Sequence, residues 1–351
     1  MPLFLDTGAP ASELSAASCI TVGLVNNMPD AAFDTTERQF AELIRAAAPD
    51  RVVLLKLFVI PELPRSEAIR RALAAKYRSV TALWDAPLDG LIVTGTEPRA
   101  KKLSDEPYWH SLSTLVDWAR VHTFSTIWSC LAAHAAVFHA DGIERCALPQ
   151  KQFGVFDCRL ANDHPMTQHF PEPLWVPHSR YNGLSEAALA SCNYRILTRS
   201  DTAGVDAFAK QDGSFFLYFQ GHPEYDADTL LREYRRDVAR FLKGERAVYP
   251  ALPLNYLEAD AAAQAEAFRA RAVACRASGL ISDFPERALA AGLKNPWRAA
   301  ALGFYAKWIA FLDARKAERR ETGAAARHVR LRRTWRDWPL PLRRPAQSRA
   351  G

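Results

Sequence analysis

A thiol, an imidazole and a carboxylate, at Cys130, His222 and Glu224, are the groups in this chain whose types and settings suit covalent catalysis. A cysteine thiolate is a nucleophile, a histidine beside it moves protons, and an acid two residues on orients the ring. Cys130 follows the apolar run Phe124-Ser125-Thr126-Ile127-Trp128 and precedes a small-residue, helix-forming stretch at residues 131–137. A thiol on such a strand-to-helix turn stands out of the sheet. It meets the first peptide N–H groups of the helix, which favour negative charge on sulfur and on an oxyanion beside it. His222 and Glu224 sit in Gly221-His222-Pro223-Glu224, after a strand-like run at residues 215–220. Two residues apart at a strand end, their side chains fall on one side. A lone buried cysteine is more often inert and a lone histidine more often structural. The pairing, each member after its own apolar run, is what favours catalysis.

The positioning elements follow from hydrophobic periodicity. Strand patterns at residues 20–25, 52–60, 88–93 and 124–128 alternate with helical patterns at residues 66–77 and 108–121. Asp34-Thr35-Thr36-Glu37 has the form of a capping box ahead of Phe40, Leu43, Ile44 and Ala47 at helical spacing. Such alternation predicts a parallel sheet flanked by helices, with ligands at the carboxyl ends of strands, where Thr94-Gly95 and Cys130 both stand. The second half predicts short strands near residues 154–159 and 195–198. A hairpin is expected around Gln211-Asp212-Gly213-Ser214, and an amphipathic helix at residues 226–243 with Leu230, Tyr234, Val238 and Phe241 on one face. A further helix is expected through Leu312. The expected organisation is an extension at residues 1–19, a catalytic domain at 20–250, a helical segment packing on it at 251–314, and a basic, disordered tail at 315–351.

The formal net charge of +6 is concentrated at one end. From residue 315 onward there are 12 Lys/Arg against 3 Asp/Glu, so the rest of the chain holds 33 of the 45 basic and 36 of the 39 acidic side chains. The body is therefore slightly acidic, and nucleic-acid binding is not expected despite the basic tail. No uncharged apolar run reaches membrane-spanning length, and the first residues lack a signal-peptide pattern, so a cytoplasmic location is expected. Six scattered cysteines without a CxxC pair point to neither zinc nor disulfides. His134, His139, His164 and His169 lack the spacing of a metal cluster, so packing or surface roles are expected. Neither a metal nor an organic cofactor is implied.

Several strings, in order, resemble the homoserine O-acyltransferases, the O-succinyl- and O-acetyltransferases of methionine biosynthesis. They are Val25-Asn26-Asn27-Met28-Pro29, Gly90-Leu91-Ile92-Val93-Thr94-Gly95, Lys151-Gln152-Phe153-Gly154-Val155-Phe156, Pro177-His178-Ser179-Arg180-Tyr181 and Gly221-His222-Pro223-Glu224-Tyr225-Asp226. The resemblance covers residues 20–312. It implies an α/β, three-layer, parallel-sheet fold of the class I glutamine-amidotransferase-like (flavodoxin-like) type, with a helical C-terminal segment. It implies that Cys130 takes the acyl group from succinyl-CoA or acetyl-CoA, that His222 is the base and that Glu224 orients it. By the same resemblance Lys151, Ser179 and Arg236 bind substrate, with Arg180 a further candidate. The peptide groups of Gly95, Thr96 and Leu131 are the expected oxyanion donors. The expected partners are small molecules, acyl-CoA and homoserine, with a homodimer as the assembly left open.

The chain also departs from that pattern. The family's choice of donor is associated with Gly (succinyl) or Glu (acetyl) five residues after the Thr of its Thr-Gly loop, and Arg99 stands there. An arginine pairs with a succinyl carboxylate and cannot imitate the acidic residue, so succinyl-CoA is the expected donor. Asp30-Ala31-Ala32 replaces two lysines, and Leu131 and His134 stand where Trp and Gln are usual. Serine or another hydroxy-amino acid therefore remains an alternative acceptor. A glutaminase is a further alternative, although Trp128 and Ala132 occupy positions that glutaminases give to glycine. A non-catalytic regulator acting through the basic tail is the third.

Overall fold

A computed structural model of the chain describes residues 3–5, 19–85 and 87–325. The strands are β1 (Leu3–Leu5), β2 (Ile20–Val25), β3 (Val53–Val59), β4 (Arg78–Ser79), β5 (Gly90–Val93), β6 (Ser125–Ser129), β7 (Cys146–Leu160), β8 (Leu174–Gly183), β9 (Arg195–Ile196), β10 (Thr198–Ser200), β11 (Gly204–Val205), β12 (Ala207–Asp212) and β13 (Ser214–Phe219). The helices are α1 (Phe33–Ala47), α2 (Glu67–Lys76), α3 (Trp109–His122), α4 (Leu131–Asp141), α5 (Glu186–Ser191), α6 (Thr229–Leu242), α7 (Ala259–Ala274), α8 (Glu286–Ala290) and α9 (Arg298–Ala325).

The main sheet runs β1-β3-β2-β5-β6-β13-β12-β9, with β4 beside β3. It is parallel from β1 through β13 and antiparallel only at β12 and β9. Alternating side chains divide its two faces. Val22, Leu24, Ile92, Ile127, Leu217 and Phe219 pack with Phe40 and Leu43 of α1 and with Phe304 and Trp308 of α9. Leu91, Val93, Trp128, Phe216 and Tyr218 pack with Leu112 and Leu115 of α3 and with Ala133 and Val137 of α4. Helices cover both faces, giving the three-layer α/β arrangement that the strand–helix alternation predicts. Among the described residues, no helix is long and apolar enough to cross a membrane.

Four details differ from the sequence-based expectations. The Asp34-to-Glu37 string does not cap α1, which begins at Phe33 without a side-chain cap. Glu37 instead turns inward, accepting from the Tyr77 hydroxyl at 2.8 Å and from Lys76. The strand expected at residues 154–159 is the end of a 15-residue strand, β7, which pairs with β8 in a second, antiparallel sheet β11-β10-β7-β8. Pro149 falls in the register shift between Ala147 and Gln152, where a proline is tolerated, and Pro177 pairs with Val155. Lys151 and Ser179, which none of the expected strands covers, sit on these two strands. Finally, the tail expected to start at Arg315 does not: α9 continues to Ala325. Lys316 holds it to the sheet by donating to Asp89 at 2.6 Å and to the Cys19 carbonyl at 2.7 Å. Residues 326–351 of that tail, and all but three of the first 18 residues, lie outside the described residues.

Candidate active site

Three strand ends of the main sheet meet at one cavity of about 390 Å³. Cys130, between β6 and α4, has φ 51° and ψ −114°, a positive φ that a non-glycine residue adopts only under constraint. The constraint is visible: the Cys130 N–H donates to the Phe219 carbonyl at 2.7 Å, and its own carbonyl accepts from Ala133 at 3.0 Å as α4 begins. The side chain is thereby left half-exposed in the cavity wall.

Gly95, just past β5, explains how the adjoining loop comes so close. A Cβ there would stand 2.9 Å from the Leu131 nitrogen and 3.2 Å from the Leu131 Cβ. Thr94 fixes this loop, accepting from the Asn27 N–H at 2.7 Å through Oγ1 and from the Asn27 side chain at 3.0 Å through its carbonyl. Gly95, Thr96 and Leu131 all line the cavity.

The imidazole arrives from β13. The His222 N–H donates to the Pro177 carbonyl at 2.8 Å, and its ring stacks on Tyr225 with centroids 4.3 Å apart. His222 Nδ1 lies 2.8 Å from Glu224 Oε1, both side chains are buried, and Cys130 borders the same cavity, near enough for its charge to act on the ring. Burial alone would push the imidazolium down. The charges of Glu224 and Cys130, with the bond to Glu224, outweigh it and hold the ring well above the ordinary histidine value. The raised value favours the protonated ring when a negative charge stands beside it. Gly221 makes the approach possible, since a Cβ there would lie 2.5 Å from Val176 and 2.6 Å from Asp206.

Beneath the triad lies a second buried polar layer. His178 is kept neutral by burial, with the Arg180 and His222 charges acting in the same direction. Burial raises Asp206 to about 6, although it accepts from Thr198 at 2.8 Å and from the Gly221 N–H at 3.2 Å. Arg180 borders the cavity, but its nitrogens are occupied by His178 at 3.2 Å, by the Asn182 carbonyl at 2.7 Å and by the Ala203 carbonyl. That bonding makes it a brace for the wall rather than a free substrate clamp.

A charged wall of the same cavity is built by the β7–β8 hairpin and α6. Lys151, Ser179 and Arg236 all line the cavity there. Lys151 pairs with Asp237 at 3.2 Å and Glu233 at 3.8 Å, Arg236 with Asp237 at 3.3 Å, and Arg246 with Asp237 at 2.9 Å. Glu233 also accepts from Ser179 and, at 2.6 Å, from the Tyr225 hydroxyl. Glu233, Asp237 and Arg246 escape the sequence reading. The signal for Glu233 and Asp237 was the repeat Glu233, Arg236, Asp237, Arg240, spaced three and four apart, a second face of α6 beside its apolar one; Arg246, past the helix end, had none. Arg99 is not brought to the site: it is exposed, does not line the cavity, and its N–H donates to Glu106 at 2.6 Å. Arg145, unremarked in the sequence, does line it. Among the described residues, no group of three His, Cys, Asp or Glu side chains is placed to hold a metal ion.

Fold and site together define a three-layer α/β protein with a Cys–His–Glu constellation at the carboxyl edge of its parallel sheet. The chain belongs to the homoserine O-succinyltransferase family, whose model matches residues 8–319. It is 48% identical over 317 residues to a homoserine O-succinyltransferase of Rhodopseudomonas palustris, covering 88% of this chain and 95% of that one. It is 46% identical to one of Methylorubrum extorquens, covering 85% and 88%. Among solved structures it is similar to a glutamine amidotransferase from Methylobacillus flagellatus, with 16% identity and a TM-score of 0.47 over 84% of this chain and 95% of that one.

Proposed function

We propose that this chain transfers a succinyl group from succinyl-CoA to the hydroxyl of homoserine through a thioester on Cys130. The observation that carries the reading is the strained Cys130 elbow, set at the cavity beside an imidazole that Glu224 holds at 2.8 Å. In the first half-reaction the Cys130 thiolate attacks the thioester carbonyl. The C–S bond to CoA breaks, and the departing thiolate takes the proton from His222. Thioester exchange is nearly isoenergetic, so the acyl group rests on the enzyme. In the second half-reaction the neutral ring accepts the homoserine hydroxyl proton as that oxygen attacks, and Cys130 leaves as thiolate.

The N–H of Leu131, with those of Gly95 and Thr96, faces the oxyanion in both steps, and each such donor is worth about 3–4 kcal/mol. The Arg236 guanidinium takes the amino acid's carboxylate. Glu233 and Asp237 are the acids available to its ammonium, and Lys151 and Ser179 set their position. Intact-mass measurement tests the reading: succinyl-CoA without acceptor should add about 100 Da, the formula mass of a succinyl group replacing a thiol proton. The adduct should vanish on adding homoserine and be absent from Cys130→Ala. A protein that stays unmodified while hydrolysing glutamine would mark it as a glutaminase instead.

A further inference from the structure

Six Lys and Arg side chains line the cavity: Arg145, Lys151, Arg180, Arg236, Arg240 and Arg246. Lys151, Arg236 and Arg246 share Asp237, and Arg240 reaches Glu97 at 3.3 Å. Arg180 is bonded to its own wall. Arg145 is the exception. Its Nη2 reaches only the Lys101 carbonyl, at 3.4 Å, and its Nη1 is buried with no hydrogen-bond partner. Tyr108 and Glu106 act on Arg145 more strongly than Cys130 does, but Glu106 turns Oε1 to the N–H groups of Arg99 and Ala100, at 2.6 and 2.7 Å, and its Oε2 is buried without a hydrogen-bond partner. Among the described residues, no carboxylate lies within ion-pair distance of Arg145.

A buried guanidinium nitrogen without an acceptor is a costly arrangement that a ligand carboxylate relieves. Arg145 and Cys130 border the same cavity, and the sulfur is near enough for its charge to act on the guanidinium. A succinyl group on that sulfur carries its second carboxylate roughly 5 Å away, across two methylenes.

We propose that Arg145 forms the subsite for the distal carboxylate of a dicarboxylic acyl group on Cys130, and that it sets the preference for succinyl over acetyl. The inference rests on the acyl transfer proposed above and assigns donor choice to Arg145 rather than to the exposed Arg99. The planar fork of an arginine offers two parallel N–H donors to the two carboxylate oxygens, and an acetyl group has nothing to give them.

The test is the ratio of kcat/KM for acyl-enzyme formation with succinyl-CoA to that with acetyl-CoA. Both donors share the CoA moiety, so a role for Arg145 on the CoA phosphates cancels in this ratio. Arg145→Met should lower it on the order of 100-fold, and Arg145→Lys, a cation without the fork, on the order of tenfold. Arg99→Ala should leave it within about twofold. Should the Met variant not fold, the Lys variant decides alone. A ratio unmoved by either substitution, or loss of both donors by one factor, overturns the Arg145 subsite while leaving the acyl transfer standing. A wild-type protein that takes an acyl group from neither donor removes the acyl transfer itself, and the subsite with it.

Discussion

The cavity has two unlike walls. On one side the reacting groups are fixed by backbone: a positive-φ elbow at Cys130, a glycine at 95 against Leu131, and a strand end that delivers His222. On the other, substrate-facing groups are fixed by charges bearing on one another. Three cations there share Asp237: Arg236 beside it on α6, Arg246 just past that helix, and Lys151 from the distant β7. Backbone geometry admits almost no substitution and acts directly on the reacting atoms. A charge network spreads its influence, so losing one member shifts affinity and stability before it abolishes chemistry.

The sharpest test of that contrast is at the backbone wall. Cys130→Ala should lower turnover on the order of 10⁴-fold or more and abolish the acyl-enzyme, because no other group takes the acyl chain. Residual turnover within tenfold of wild type would mean direct transfer without the thioester. Gly95→Ala comes next. Its Cβ would stand 2.9 Å from the Leu131 nitrogen, crowding that donor, and kcat should fall on the order of 10²–10³-fold. Stability should move far less. A variant that loses folding and catalysis together would make Gly95 a packing residue only.

The same contrast governs what the sequence revealed. The triad was legible because each member follows an apolar strand, and a parallel sheet brings such strand ends to one edge whatever the side chains between them. The parallel sheet was legible from the alternation of strand and helix patterns through the first half of the chain. The charged wall was harder, because Glu233, Arg236, Asp237 and Arg240 look like the solvent face of an amphipathic helix until β7 and β8 are known to cover them. That hairpin was itself obscured by Pro149 and Pro177. Arg145 gives no local signal at all, lying after a helix end in a string without periodicity, and Arg99 drew attention by chain position alone.

The charged wall should respond more softly. Burial would raise the Asp237 carboxyl, but Lys151, Arg236 and Arg246 outweigh it and hold it below the usual carboxylate range. A depressed folded-state value means that Asp237 stabilises the protein above the unfolded value, near pH 4, and that this contribution is lost as pH falls through the folded value. Asp237→Asn should therefore cost roughly 2 kcal/mol at neutral pH, discounted for partly exposed partners, and less under acid conditions. It should raise the KM for homoserine about tenfold, with a smaller effect on acyl-enzyme formation. An equal loss in both half-reactions would place Asp237 with the backbone-fixed wall instead.

The smallest effect is expected where the two halves of the triad are joined. His134 on α4 lies 2.9 Å from Gln220 Oε1 at the end of β13, and Gln220 in turn accepts from the Leu184 N–H at 3.1 Å and donates to the Val205 carbonyl at 2.6 Å. Burial, aided by the Arg180 and Arg145 charges, outweighs the bond to Gln220 and brings His134 down to about 3 from an ordinary 6.5. Its folded value lies below its unfolded one, so between those limits the unfolded chain binds the extra proton and stability falls as pH drops. For one histidine this amounts to about 1 kcal/mol per pH unit. His134→Gln keeps a donor for Gln220 but does not titrate. The slope of unfolding free energy against pH, from denaturant melts between about pH 4 and 6, should therefore lose about one proton's worth, with His178 retaining its own share. Turnover at neutral pH should change by less than about threefold, since the joint persists. Parallel pH slopes for the two proteins would show that His134 already carries its proton in the folded state, and that the joint is ionic.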